Sequence, residues 1–148
     1  IINIEKNVQF KILFPEKELI KENVLNNNSI VAKLEYKNFK ILFTGDIEEI
    51  AEKKLIKYYS KEELNADILK ISHHGSKTST TTEFLDVVNP RIALIGVGQN
   101  NKFGHPDDSI INNLENRDIK IFRTDKMGEI IIKSDGNKIK KVMGYIPP

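Results

Sequence analysis

Residues 70–79 read Lys-Ile-Ser-His-His-Gly-Ser-Lys-Thr-Ser, and the rest of the chain is organised around this stretch. It contains two of the three histidines, His73 and His74, side by side. The mainly apolar segment 66–69 precedes it and small hydroxylated residues follow it, which is typical of a buried strand that ends in a polar loop. Because reactive groups in α/β proteins collect at strand ends, the stretch predicts a functional site.

Two further strand-like segments lead into polar residues. Residues 41–46, Ile-Leu-Phe-Thr-Gly-Asp, end on Asp46, and residues 103–107, Phe-Gly-His-Pro-Asp, contain His105. Carboxylate and imidazole groups are suitable ligands for Zn, Mn or Fe. His105 could be a third ligand, or an acid–base group that protonates a leaving oxygen. These residues indicate metal-dependent hydrolysis.

The residues after the histidine pair suit a phosphate group. Ser76 and Lys77 offer a hydroxyl and a cation, and Thr78 and Ser79 add further hydroxyls. This run is not a P-loop, because no Gly-x-x-x-x-Gly precedes it. A Ser/His/Asp triad is conceivable, but the chain has no Gly-x-Ser-x-Gly nucleophile elbow.

Structural alternatives stand beside these assignments. Asp46 could simply N-cap the following helix. His105, before Pro106, could only shape a turn. Ser76 and Thr78 could do no more than satisfy backbone groups, and residues 123–125, Arg-Thr-Asp, favour a structural turn.

Composition restricts the class of protein. The chain has 148 residues, 39% of them apolar and 30% charged, which fits one globular domain spanning residues 1–148. The net charge of +2 lacks the overall signature of a nucleic-acid-binding domain. Without cysteine, disulfides, thiolate metal sites and cysteine nucleophiles are excluded.

No apolar run approaches the roughly 20 residues of a membrane span. The first residue is not Met and no signal-peptide pattern follows, so we expect the chain to be part of a longer protein.

Hydrophobic periodicity predicts alternating strands and helices with hairpins towards both ends, hence an α/β layered sandwich with a mixed sheet. Strands are predicted at 8–14, 29–36, 39–43, 68–72, 91–97, 119–123, 129–133 and 138–142, and helices at 47–59, from 80–82 to 88, and from 107–109 to 114. Residues 16–28 are expected to form a loop with a short helical turn.

Three motifs together resemble the metallo-β-lactamase-fold domain of ComEC-type competence proteins. They are Leu-Phe-Thr-Gly-Asp at 42–46, Leu-Lys-Ile-Ser-His-His-Gly-Ser at 69–76 and Gly-Gln-Asn-Asn-Lys-Phe-Gly-His-Pro at 98–106. Asn-Asn-Ser at 27–29 and Phe-Arg-Thr-Asp at 122–125, followed by Gly128, also match the pattern. The resemblance extends from about residue 10 to residue 134.

This resemblance implies an α+β fold, an αββα sandwich with a metal site at the rim between two sheets. Asp46 would be a carboxylate that can bridge two metals, and His73 would be the last ligand, with His74 as the alternative or as a catalytic group. His105 would lie nearby as a proton donor or phosphate contact. The complete domain would hold one or two divalent ions, Zn or Mn, and would hydrolyse a phosphodiester of DNA during uptake. It would face outward from a bacterial membrane protein, next to that protein's membrane-channel portion.

The chain departs from the family pattern in its ligands. A His-x-His-x-Asp-His motif would precede Val8 and a further His would lie shortly before Asn28, but neither is present, and Asn23 and Asn26 are weak substitutes. We therefore expect the C-terminal portion of a domain, which binds metal poorly and is inactive without the N-terminal part. An apolar sheet face would be exposed, which favours a homodimer. Alternatives are a non-catalytic docking module of the same fold, and a hydrolase of another phosphodiester such as cell-wall choline phosphate.

Overall fold

The computed structural model describes residues 1–146, so Pro147 and Pro148 of the predicted domain lie outside the described residues. Its main feature is a mixed seven-stranded sheet whose strands follow one another in chain order, with a separate two-stranded hairpin. The strands are β1 (Ile2–Glu5), β2 (Val8–Phe14), β3 (Val31–Tyr36), β4 (Phe39–Phe43), β5 (Ile68–Lys70), β6 (Ile92–Ile95), β7 (Lys120–Arg123), β8 (Glu129–Ser134) and β9 (Ile139–Tyr145). The helices are α1 (Val24–Asn27), α2 (Glu49–Tyr58), α3 (Lys61–Leu64), α4 (Thr82–Val88), α5 (Asp108–Glu115) and α6 (Thr124–Met127).

The sheet changes character at β4. Strands β1 to β4 form an antiparallel meander, whereas β4 to β7 run parallel. Each parallel step is bridged by helix, since α2 and α3 lie between β4 and β5, α4 precedes β6, and α5 precedes β7. The predicted mixed α/β architecture is confirmed.

Helices α4 and α5 begin where short polar side chains can accept hydrogen bonds from free backbone N–H groups. The Thr81 side chain accepts from the N–H of Phe84 at the start of α4, and Asp107 accepts from Ser109 at the start of α5. Both caps lie within the predicted windows. The longest helix, α2, has ten residues, and within residues 1–146 no helix is long and apolar enough to cross a membrane.

One face of the sheet is covered by the helices. Leu42, Leu69 and Ala93, from three adjacent parallel strands, are fully buried there. Lys33 on β3 is buried on this face too, and its Nζ donates a hydrogen bond to the carbonyl of Glu63 at 2.5 Å. Burial lowers the pKa of this lysine from 10.5 to about 8.

The β8–β9 hairpin covers part of the other face. Phe39, Ile41, Ile68 and Ile92 are buried there against apolar residues of the hairpin. The N–H groups of Asn38 and Phe39 both donate to the carbonyl of Gly136 and so anchor the hairpin to the β3–β4 turn. On β2, Ile12 keeps 45% of its surface exposed, so part of the apolar surface expected on this face is open. The homodimer remains a prediction.

Three short elements were not predicted, namely β1, α3 and α6. Helices α3 and α6 have four residues each, too few to show a helical period. The predicted strand 68–72 was two residues too long, because the chain leaves the sheet after Lys70 and turns through residues 72–75.

Candidate functional site

The predicted polar residues meet at the carboxyl edge of the parallel strands. Asp46 follows β4, the two adjacent histidines follow β5, and His105 lies between β6 and α5. The ring centroids of His73 and His105 are 5.7 Å apart, and those of His73 and His74 are 6.5 Å apart. The parallel order of the strands brings these motifs to one edge.

Asp46 and His74 face each other directly. The His74 Nε2 lies 3.5 Å from Oδ1 of Asp46, and its Nδ1 lies 2.5 Å from the carbonyl oxygen of Gly96. Because a carbonyl can only accept, Nδ1 carries a proton. In the neutral ring Nε2 then presents its lone pair to the carboxylate.

Asp46 has no capping role. Helix α2 is preceded by Glu48 at its N-cap position, and no side-chain cap hydrogen bond is formed there. The alternative that Asp46 only caps this helix is therefore wrong.

His73 points to different partners. Its Nδ1 is buried without a hydrogen bond, although it lies 3.5 Å from Oε1 of Glu48. That separation allows an electrostatic contact, but the geometry does not make a hydrogen bond. The Nε2 lies 3.4 Å from the side-chain nitrogen of Asn26, one of the two asparagines expected near the missing histidine ligand.

Glu48 is a site residue that sequence reasoning missed, because an acidic residue at the start of a helix is ordinary on a solvated surface. Its carboxylate accepts hydrogen bonds from the side chains of Asn23, at 2.9 Å, and Thr78, at 2.8 Å. Burial acts to raise the pKa of Glu48, but these hydrogen bonds and His73 outweigh burial and hold it below its ordinary value. Glu48 thus fixes a negative charge beside His73.

Lys70, the last residue of β5, is the second residue that was missed. Its Nζ donates to the carbonyl of Ile71 at 2.9 Å. Burial lowers the pKa of Lys70, while the Asp46 carboxylate acts to raise it. A lysine at the end of an otherwise apolar strand was the available signal.

The histidine loop is held in a demanding backbone conformation. His73 and His74 have φ values of 47° and 56°, in the left-handed region that non-glycine residues seldom adopt. At Gly75, with φ 85°, an added Cβ would lie 2.5 Å from Cβ of Pro106. The N–H of Asp107 donates to the Gly75 carbonyl at 2.9 Å. The histidine loop is therefore locked against the loop that carries His105.

His105 is held by Asn101. Its N–H donates to Oδ1 of Asn101 at 2.9 Å, and the Asn101 side-chain amide donates to the His105 carbonyl at 2.8 Å. Burial, followed by the neighbouring His73 and His74, lowers the pKa of His105 below its ordinary value. The ring therefore favours its neutral form.

The two residues predicted to contact a phosphate, Ser76 and Lys77, differ in their exposure to solvent. Ser76 is buried, and its Oγ lies 3.0 Å from the hydroxyl of Thr78, which in turn donates to Glu48. Lys77 is exposed. Residues 123–125, predicted to form a structural turn, span the end of β7 and the start of α6, and Arg123 and Asp125 form an ion pair at 2.6 Å.

The residues at this edge suffice for part of a metal site. Within residues 1–146, no group of three or more His, Cys, Asp or Glu side chains is arranged to hold a metal ion. Asp46 and His74 have ligating atoms that face each other, and two ligands of one tetrahedral zinc ion at about 2.1 Å would lie roughly 3.4 Å apart. Their 3.5 Å separation fits this value.

Comparison with known proteins shows one group of relatives. No family model matches the chain. It is 35% identical over 125 residues to ComE operon protein 3 of Bacillus subtilis, covering 84% of this chain and 16% of that protein. It is 32% identical over 124 residues to competence protein ComA of Neisseria gonorrhoeae, covering 83% and 17%. Recombination protein 2 of Haemophilus influenzae is 29% identical over 125 residues, covering 84% and 15%.

The matched part is a small share of each relative, 15% to 17% of its length. The matched part nevertheless takes in most of this chain, 83% to 84% of its residues. The predicted similarity to ComEC-type competence proteins is confirmed, and the chain corresponds to one segment of these relatives.

Proposed function

We propose that this chain is part of a metal-dependent phosphodiesterase domain of the metallo-β-lactamase type, which cleaves DNA during its uptake by a competence protein. The observation that carries this proposal is the facing pair of Asp46 and His74. A carboxylate and an imidazole lone pair repel each other across 3.5 Å unless a proton or a cation lies between them.

The geometry favours His74 over His73 as the metal ligand beside Asp46. A metal-ligating histidine usually donates its second ring N–H to a carbonyl or carboxylate, and His74 does so to Gly96. His73 instead has Glu48 and Asn26 as partners. We assign His73 the role of orienting the site through Glu48.

A divalent ion here, Zn or Mn, would polarise a phosphodiester and supply a hydroxide nucleophile at neutral pH. The neutral ring of His105, 5.7 Å from His73 between ring centroids, is suited to accept a proton before it returns one to a leaving oxygen. The exposed ammonium of Lys77 is available to bind a phosphate oxygen. The ammonium of Lys70 interacts electrostatically with the Asp46 carboxylate.

Two protein ligands are fewer than the three that a catalytic zinc commonly takes. We propose that the remaining ligands come from another part of the parent protein, so that this chain alone binds metal weakly and is inactive. From the resemblance to ComEC-type proteins we also propose that the domain faces outward from the membrane beside the channel portion of that protein. The competence names of the relatives support this placement.

The experiment is a calorimetric titration of the chain with Mn²⁺ and with Zn²⁺. Asp46→Asn and His74→Ala are each expected to weaken binding at least about tenfold, because even indirect support of a ligand is worth that much. His73→Ala is the matched control and should weaken it less. Circular dichroism should show all three variants folded.

Equal metal affinity of Asp46→Asn and the unchanged chain would contradict the assignment. If metal binds and a longer segment of the parent protein still cleaves neither DNA nor bis(4-nitrophenyl) phosphate, the docking-module alternative is favoured. Cleavage of choline phosphate esters in preference to DNA would favour the cell-wall alternative.

A further inference from the structure

Phe103 is an exposed aromatic residue at the rim of the candidate site. It lies in the loop between β6 and α5, and 83% of its surface is accessible. A single exposed apolar side chain is ordinary on a protein surface. The placement of this ring against the site distinguishes it.

Phe103 stacks on His105. The two ring centroids are 6.0 Å apart and the ring planes differ by 18°, an offset parallel arrangement. Because Asn101 holds the backbone of His105 through two hydrogen bonds, the loop keeps the phenyl ring of Phe103 beside the site. The outer face of the phenyl ring is left to solvent.

A small cavity adjoins this ring. It has a volume of about 180 Å³ and is lined by residues of the two site loops, namely His74, Val97, Gly98, Asn101, Phe103 and His105. It is smaller than the roughly 300–1,000 Å³ of pockets that enclose a whole small-molecule ligand. A cavity of this size suits one flat group whose remainder stays outside.

We propose that Phe103 stacks an unpaired nucleobase of the nucleic acid whose phosphodiester is bound at the site. This inference rests on the proposed function, since it takes the substrate to be DNA. An exposed aromatic beside cationic side chains is the combination that binds single strands. Lys102, the neighbour of Phe103 in the chain, is exposed, and so is Lys77 in the loop that follows the histidine pair. Bases in a duplex are already stacked and paired, so the site selects a single-stranded or locally opened strand.

The test measures binding by fluorescence anisotropy, with a labelled oligothymidine and an abasic oligonucleotide of the same length. Stacking on one aromatic ring corresponds to roughly a 5- to 150-fold difference in affinity. The unchanged chain should therefore prefer oligothymidine to the abasic strand by a factor in this range. Phe103→Ala should lose that preference while it binds the abasic strand as before.

Two further variants separate stacking from general effects. The chain has no tryptophan, so Phe103→Trp introduces a single tryptophan, which should retain the preference and whose fluorescence should be quenched when oligothymidine binds. Tyr58→Ala removes another exposed aromatic ring, on α2, and should leave both affinities unchanged.

Equal weakening of both oligonucleotides by Phe103→Ala would overturn the proposal, as would a chain that does not distinguish them or binds neither. Hydrolysis of bis(4-nitrophenyl) phosphate, a phosphodiester without a nucleobase, by a longer segment of the parent protein reports on the proposed metal chemistry alone. Hydrolysis without base preference would refute only the role of Phe103. Base preference without metal-dependent hydrolysis would refute only the proposed activity.

Discussion

The helix-covered face of the sheet and its carboxyl edge are built in opposite ways. On the helix-covered face, Leu42, Leu69 and Ala93 are fully buried, and α4 and α5 above them begin at side chains that cap them. At the carboxyl edge, two consecutive histidines adopt left-handed backbone conformations and the Nδ1 of His73 is buried without a hydrogen bond.

The helix-covered face stabilises the fold, whereas the carboxyl edge costs free energy of folding. Unusual backbone conformations and unpaired buried polar atoms cost free energy and persist only where the surrounding structure holds them. The continuous apolar layer under α2, α4 and α5 supplies that support. Unusual backbone conformations and unpaired buried polar atoms are typical of residues that bind a ligand or take part in chemistry.

The largest effect is expected on the helix-covered face. Leu69→Ala removes a fully buried side chain and should lower the free energy of unfolding by about 2–5 kcal/mol. Ile12→Ala is the matched control, because Ile12 lies on a neighbouring part of the sheet but is 45% exposed. Urea denaturation measures both. A similar loss for the two variants would mean that the helix-covered face is not the main source of stability.

The next effect concerns a charge buried on that face. The pKa of Lys33 is about 8 in the folded chain against 10.5 in the unfolded one, so between these pH values the unfolded chain binds more protons. Burial of Lys33 therefore costs no stability above pH 10.5, where the side chain is neutral in both states. As the pH falls from 10.5 through 8, the free energy of unfolding decreases by up to about 3 kcal/mol.

Lys33→Met should abolish this dependence, which is measured as the difference in unfolding free energy between the variant and the unchanged chain from pH 7 to pH 10. Lys6→Met, at an exposed position, is the control and should not alter the pH profile. A difference for Lys33→Met that stays constant with pH would show that Lys33 is not desolvated as described.

The smallest of the three effects is expected at the carboxyl edge. Gly75→Ala places a Cβ at positive φ and 2.5 Å from Pro106, and should cost about 1–3 kcal/mol in unfolding free energy. Gly104→Ala is the matched control, since Gly104 also has a positive φ, of 71°, but no atom lies within 4 Å of the added Cβ. It should cost less.

The imidazole NMR signals of the three histidines provide the second readout for Gly75. Gly75→Ala should shift those of His73, His74 and His105 together, because the two loops are locked at this point. Unperturbed signals would indicate that the loops are independent.

Most of the sheet could be predicted because its strands are apolar runs bounded by turn residues. Strands β2 to β9 were all expected, with boundaries within a few residues, and the caps at Thr81 and Asp107 lie within the predicted windows 80–82 and 107–109. The end of β5 was misplaced, because the left-handed turn through His73 and His74 is imposed by the neighbouring loops and has no local sequence signal.

The sequence by itself determined the alternation of strands and helices, the helix starts, and the polar residues that end each parallel strand, because these features depend on local periodicity and on neighbouring side chains. Only the tertiary structure decided that Asp46 faces His74 while His73 meets Glu48, since adjacent residues in one loop turn to different partners. The same holds for Lys70 beside Asp46 and for Phe103 on His105. Distances between separate loops depend on how the sheet and helices pack, and that packing brings together residues from across the chain.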